Sequence, residues 1–182
     1  MKIVVINGTG GSGKDTFVEF CCEYYGEEFF QHCMNISTVD YVKEIAEYCG
    51  WKGEKDPASR RFLSQLKDAL TEWKDIPFKS VQQGIAWFKS NIEHLGEKHM
   101  DNSVVFIHCR EPKEIARLVE EYNAVTLLIR REAAENVKQI NHADNEVLNY
   151  EYTYVVDNNG TLAELKEKAF KFMEVDLAVR AE

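Results

Sequence analysis

The chain has 182 residues, 45% of them hydrophobic, with only three prolines, which is enough for one compact domain and little more. Its 22 Lys and Arg against 31 Asp and Glu leave a net charge of −9, and the cations are spread along the chain, so a nucleic-acid partner is not expected. No apolar stretch approaches the ~20 residues that a bilayer-crossing helix needs, so no membrane partner is expected either, and the chain reads as cytoplasmic.

The first apolar run, Lys2–Asn7, predicts a strand. Gly8-Thr9-Gly10-Gly11-Ser12-Gly13-Lys14-Asp15-Thr16 follows directly and leads into a helical pattern over Lys14–Tyr25. Further strands are predicted at Cys33–Ser37, Ser103–His108, Ala124–Arg130 and Tyr152–Asp157. Helices are predicted at Val39–Tyr48, at Ser59–Trp73 with Phe62, Leu63, Leu66, Leu70 and Trp73 on one face, and at Lys79–Leu95 with Val81, Ile85, Phe88, Ile92 and Leu95 recurring. Pro112 opens a helix over Lys113–Glu121, Glu132–Ile140 follows the fourth strand, and Thr161 caps Leu162–Phe172. Strands alternating with helices give an α/β fold, a parallel sheet covered on both faces in three layers. The helical stretch 39–100 between the second and third strands exceeds a minimal fold of this kind and carries Trp51, Trp73, Trp87 and Phe88, which read as its own core or as a stacking surface.

Strand, glycine-rich loop, lysine and helix in register form a P-loop. Glycines let successive amide N–H groups converge on a polyphosphate, and the helix adds the partial positive charge of its N-terminus. Gly8, Gly10, Gly11, Ser12, Gly13 and Lys14 would hold a nucleoside triphosphate such as ATP, with Lys14 on the outer phosphates. The position that usually carries a hydroxyl for Mg2+ is Asp15, with Thr16 next; both offer oxygen to this hard cation. The cysteines, Cys21, Cys22, Cys33, Cys49 and Cys109, are odd in number with no Cys-x-x-Cys pair, and are expected to be buried thiols of a reducing cytosol.

Taken with Ser37-Thr38-Val39-Asp40-Tyr41-Val42-Lys43-Glu44-Ile45-Ala46 and Tyr154-Val155-Val156-Asp157-Asn158-Asn159-Gly160-Thr161-Leu162, the Gly-x4-Gly-Lys-Asp-Thr loop resembles the phage-type deoxynucleoside monophosphate kinases, within the adenylate kinase and dephospho-coenzyme A kinase group. The resemblance implies a five-stranded P-loop kinase core over 1–38 and 101–182, a helical substrate-binding insertion over 39–100, and a short lid over 131–150. It implies ATP and magnesium, a small phosphorylated acceptor, and a monomer or homodimer. Arg110, after the third strand, would touch the acceptor phosphate, and Arg131 at the lid would clamp the transferred group, because a guanidinium grips phosphate oxygens with two bonds. Of Arg130 and Arg131, one is expected in solvent or tied to Glu132 or Glu135.

No aspartate ends the third strand to hold magnesium through water, and Glu111 is the nearest substitute; Arg110 and Glu111 also read as a surface pair. Asp40 and Lys43 are either an i, i+3 ion pair or an acceptor-facing positioner and its screen. Arg60 and Arg61 begin a predicted helix, where two cations oppose the dipole and invite an external anion; a solvated helix start is the other reading. His142, Asp144 and Glu146 read as a polar lid more than as a metal site. A GTPase is disfavoured because Asp157-Asn158-Asn159-Gly160 follows the last strand and no Asn/Thr-Lys-x-Asp motif exists. A mechanical ATPase lacks its Asp-Glu pair. A kinase of another phosphorylated small molecule and a nucleotide-binding sensor without transfer activity remain as alternatives.

Overall fold

The computed structural model describes residues 1–26, 32–135 and 147–180. Five parallel strands, β1 (Lys2–Asn7), β2 (Cys33–Ser37), β3 (Val104–His108), β4 (Val125–Arg130) and β5 (Tyr154–Asp157), form one sheet in the order β2-β3-β1-β4-β5. β1 therefore lies in the middle, with Ile6 level with His108 of β3 and with Leu127 of β4. The chain turns in opposite directions on leaving the two sides of β1, and at such a switch point the carboxyl ends of the strands open a crevice.

Alternation along the central strands sorts side chains between two cores. Val4, Ile6, Val104, Phe106, Leu127 and Ile129 pack on α1 (Lys14–Glu23) and α8 (Leu162–Lys171) through Phe17, Val18, Cys21, Leu165 and Ala169. Ile3, Val5, Val105 and Ile107 pack on the other face against Phe78, Val81, Ile85, Phe88 and Ile92 of α4 (Ile76–Glu93) and Ile115 and Leu118 of α6 (Pro112–Tyr122). These two buried layers and the sheet between them make the three-layer α/β fold. The edge strand β2 has no fully buried residue, which leaves Asn35 and Ser37 available at the crevice.

Between β2 and β3 lie α2 (Asp40–Tyr48), α3 (Pro57–Lys74), α4 and a short α5 (Glu97–Asn102) that the periodicity did not indicate. α3 departs from its predicted face: Trp73 is 71% exposed, Phe62 lies at the surface, and no residue of the helix is fully buried. It packs on α2 and α4 and not on the sheet, so only part of its apolar stripe finds a partner. In α4 the recurring residues are buried as expected except Leu95, which falls beyond the helix and is exposed. Of Trp51, Trp73, Trp87 and Phe88 only Phe88 joins a core, beside Phe78 of the same helix; Trp87 and Trp73 face solvent. At α8, Thr161 and Glu164 form a reciprocal capping box. α7 (Glu132–Glu135) is the described part of the helix predicted over Glu132–Ile140; residues 136–146 of the expected lid, with His142, Asp144 and Glu146, lie outside the described residues.

The cysteine expectation needs correction. Cys22 of α1 and Cys33 of β2 are joined in a disulfide, because the helix end returns to the start of the edge strand and brings their Cα atoms to 5.6 Å. Cys49 is exposed, and only Cys21 and Cys109 are buried thiols. Among the described residues no helix is long and apolar enough to cross a membrane.

Candidate functional site

Asn7 ends β1 fully buried, and its side chain sets the path of the loop that follows: Oδ1 accepts from the Gly8 N–H at 2.8 Å, and Nδ2 donates to the Tyr152 hydroxyl at 2.9 Å. That hydroxyl donates in turn to the Val147 carbonyl, which ties the loop's first residue to the segment preceding β5. Gly8 has no room for a side chain, since a Cβ there would stand 2.4 Å from Ser12 Oγ and 2.7 Å from the Ile129 carbonyl. Ser12 N–H donates to the Thr9 carbonyl and closes the turn. Gly13 then adopts φ 90°, the left-handed region, and a Cβ would stand 2.3 Å from Asn158 Nδ2. Asn158 donates that amide to the Ser12 carbonyl at 2.8 Å, so the segment after β5 braces the loop from outside.

No side chain caps the start of α1, a lack it shares with α2, α4, α5 and α6, so the missing cap alone marks nothing. One feature of this loop points to a ligand. Thr9 Oγ1 and Ser12 Oγ are buried without a protein partner, a state that costs about 1–3 kcal/mol per group unless a ligand or water supplies the bond.

From the loop a cleft of about 540 Å³ runs across the ends of β1, β3 and β2 to the wall formed by α3. Lys14 and Asp15 line its P-loop end, and Asp40, Lys43, Arg60, Lys67 and Arg110 line the other. The structure thus brings together most of the charged residues that the sequence singled out. Asp40 Oδ2 accepts from the Ser37 N–H at 2.7 Å and Oδ1 lies 3.5 Å from Lys43 Nζ, so Asp40 is at once turn-former, ion-pair partner and cleft wall. Arg60 and Arg61 do not begin α3: Pro57 does, with Asp56 accepting from Ala58 and Ser59, so the arginines are its fourth and fifth residues and the dipole argument for a bound anion lapses. Arg60 lines the cleft; Arg61 is exposed and does not. Thr16 is half-buried and outside the lining.

Of Arg130 and Arg131, Arg130 is the one tied up, its Nε and Nη2 donating to the two carboxylate oxygens of Glu135 at 2.9 and 3.0 Å. Arg131 is exposed and does not line the cleft. Asn159 Oδ1 accepts from the Glu132 N–H, so neighbouring asparagines hold the P-loop and the start of α7.

Sequence reasoning missed two residues. Lys67 is largely buried, with Nζ 2.6 Å from Glu111 and 2.9 Å from Glu114. Glu111, expected as a magnesium substitute, is therefore engaged by an ammonium group from α3. Burial alone would depress the Lys67 pKa, but Glu114 and Glu111 outweigh it and raise the value. His108 occupies the strand-end position instead, 15% exposed, with Nδ1 3.5 Å from Asp15 Oδ1. Burial holds its pKa below the ordinary value against the pull of Asp15, with Lys14 adding to the depression, so the imidazole is neutral at pH 7. Its place as the last residue of an apolar strand was the available signal; Lys67 offered none, since its partners lie 44 and 47 residues away. Among the described residues no group of three or more His, Cys, Asp or Glu could hold a metal ion.

The chain aligns over its whole length with a solved sugar kinase from Janibacter sp. HTCC2649, covering 99% of that chain at 15% identity and a TM-score of 0.51. The fold is that of the P-loop kinases. A thymidylate kinase from Ehrlichia chaffeensis aligns with 94% of the chain and 98% of its own, at 12% identity and a TM-score of 0.47. No protein-family model matches the sequence, and no curated protein does.

Proposed function

We propose that the protein is an ATP-dependent kinase that transfers the γ-phosphate to a small phosphorylated acceptor, a deoxynucleoside monophosphate. The observation that carries the reading is one cleft that runs from the P-loop, whose Thr9 and Ser12 hydroxyls are buried without a protein partner, to Lys43, Arg60 and Arg110. Amides of Gly8–Gly13 and the Thr9 and Ser12 hydroxyls would bind the donor's phosphates, and Lys14 would offset charge on the transferred group. Arg110, Arg60 and Lys43 would hold the acceptor's phosphate in line, with Arg61 next to Arg60 on α3 but outside the cleft wall, and Arg131 reaching in from the lid. Asp40 would position the acceptor. Little base catalysis is required, because a phosphate acceptor is already anionic near neutral pH.

The donor set fits magnesium. Asp15 presents an exposed carboxylate in the cleft beside the loop, a hard oxygen ligand of the kind this ion takes in small number when substrate phosphates complete its shell, while Thr16, one residue on, is half-buried outside the lining. Bound there, the ion would neutralise charge between the donor's phosphates.

One observation favours a second reading of the acceptor. No Phe, Tyr or Trp is among the described residues lining the cleft, so the His108 imidazole is the one aromatic face among them that a base could stack on. A phosphorylated non-nucleotide would not need one. ADP release measured over a panel of deoxynucleoside monophosphates and phosphorylated non-nucleotides decides. We expect turnover with a deoxynucleoside monophosphate that Lys14→Ala abolishes while circular dichroism is unchanged. Turnover confined to a non-nucleotide would favour the second reading. ADP release that no acceptor stimulates would refute transfer and leave a nucleotide sensor.

A further inference from the structure

We infer that His108 is a positioning residue for the metal: its imidazole orients the Asp15 carboxylate toward the cation, replacing the acidic group that this strand end lacks. The inference rests on the donor-site reading above. His108 is the terminal residue of β3, directly beside Ile6 of the P-loop strand and beside Ser37 of β2. Its backbone is fixed, with the carbonyl accepting from the Thr38 N–H at 3.2 Å and from the Ser37 hydroxyl at 3.3 Å. The side chain is only 15% exposed, and Nδ1 stands 3.5 Å from Asp15 Oδ1 while Asp15 itself is 77% exposed. An exposed carboxylate on the first turn of a helix has several rotamers; a fixed neighbour with one N–H removes most of them.

The arrangement also explains why Asp15 is tolerable there. An aspartate at the strand end would place two carboxylates side by side next to Asp40, which the imidazole avoids because it stands beside Asp15 without adding negative charge. The neighbouring acidic side chain, Glu111, is already held by Lys67 and does not compete for the role.

The experiment is calorimetry of ATP binding with and without Mg2+ on wild type, His108→Leu, His108→Asn and His108→Gln, with the Mn2+ spin-resonance signal as a second readout of the bound ion. Asparagine keeps an N–H near the Nδ1 position; glutamine moves it one bond outward. For His108→Leu we expect metal-free affinity within about twofold of wild type and the gain on adding Mg2+ cut by about tenfold, the usual effect of removing a group that orients a metal ligand. Asparagine should restore most of the gain and glutamine should not. An undiminished gain in His108→Leu overturns the inference; should that variant not fold, equal gains in the asparagine and glutamine variants overturn it. Absence of ATP binding by wild type, with or without metal, would instead sink the donor-site reading.

Discussion

Gly13→Ala tests the geometry of the loop most sharply. The residue sits at φ 90°, ψ 16°, and a side chain in that region costs about 1–2 kcal/mol. The new methyl would also stand 2.3 Å from Asn158 Nδ2, forcing that amide off the Ser12 carbonyl and forfeiting a bond worth about 1 kcal/mol. The single substitution should therefore lower stability by about 2–3 kcal/mol and Asn158→Ala alone by about 1 kcal/mol. Since both remove the same bond, the double variant should fall short of the sum by about 1 kcal/mol. Urea denaturation of the four proteins gives the cycle. Additivity to within about 0.3 kcal/mol, or a loss under about 0.5 kcal/mol for Gly13→Ala, would refute the claim that Asn158 braces this residue.

Lys67→Ala should cost about 3–5 kcal/mol, because it strands the buried Glu114 carboxylate, whereas Lys67→Met combined with Glu114→Leu should recover most of that loss; urea midpoints check both. The raised Lys67 pKa places its stabilisation below the unfolded value of 10.5, so wild type should lose stability relative to the double variant only as pH rises above that value. For His108 the sign is opposite. A folded pKa below 6.5 means that its contribution is complete above pH 6.5 and is lost as pH falls through the folded value, so wild type should soften in acid more than His108→Asn when midpoints are compared at pH 7.5 and 5.5.

The strands were legible because each is a short apolar run bounded by glycine, proline or polar residues, and the P-loop because local spacing alone defines it. The order of the strands was not, since only the parallel pairing of β1 with both β3 and β4 creates it. α3 misled because an amphipathic stripe says that a face is apolar and not whether a sheet awaits it; the same helix hid Lys67, whose carboxylates come from beyond β3. Asp56 and Pro57 signalled the true start of α3, and reading the helix from Ser59 gave Arg60 and Arg61 an electrostatic problem that the Asp56 cap removes. Asn7, Asn158 and His108 each end or follow a strand, where polar residues are common and only the tertiary arrangement distinguishes a brace from a surface side chain.

The central claim is that the turn between β1 and α1 binds the phosphates of a nucleoside triphosphate. Isothermal titration of the purified protein with Mg·ATP and Mg·GTP tests it directly: saturable one-to-one binding of at least one of them, lost in Lys14→Ala, is the predicted result. No association of wild type with either nucleotide would contradict it.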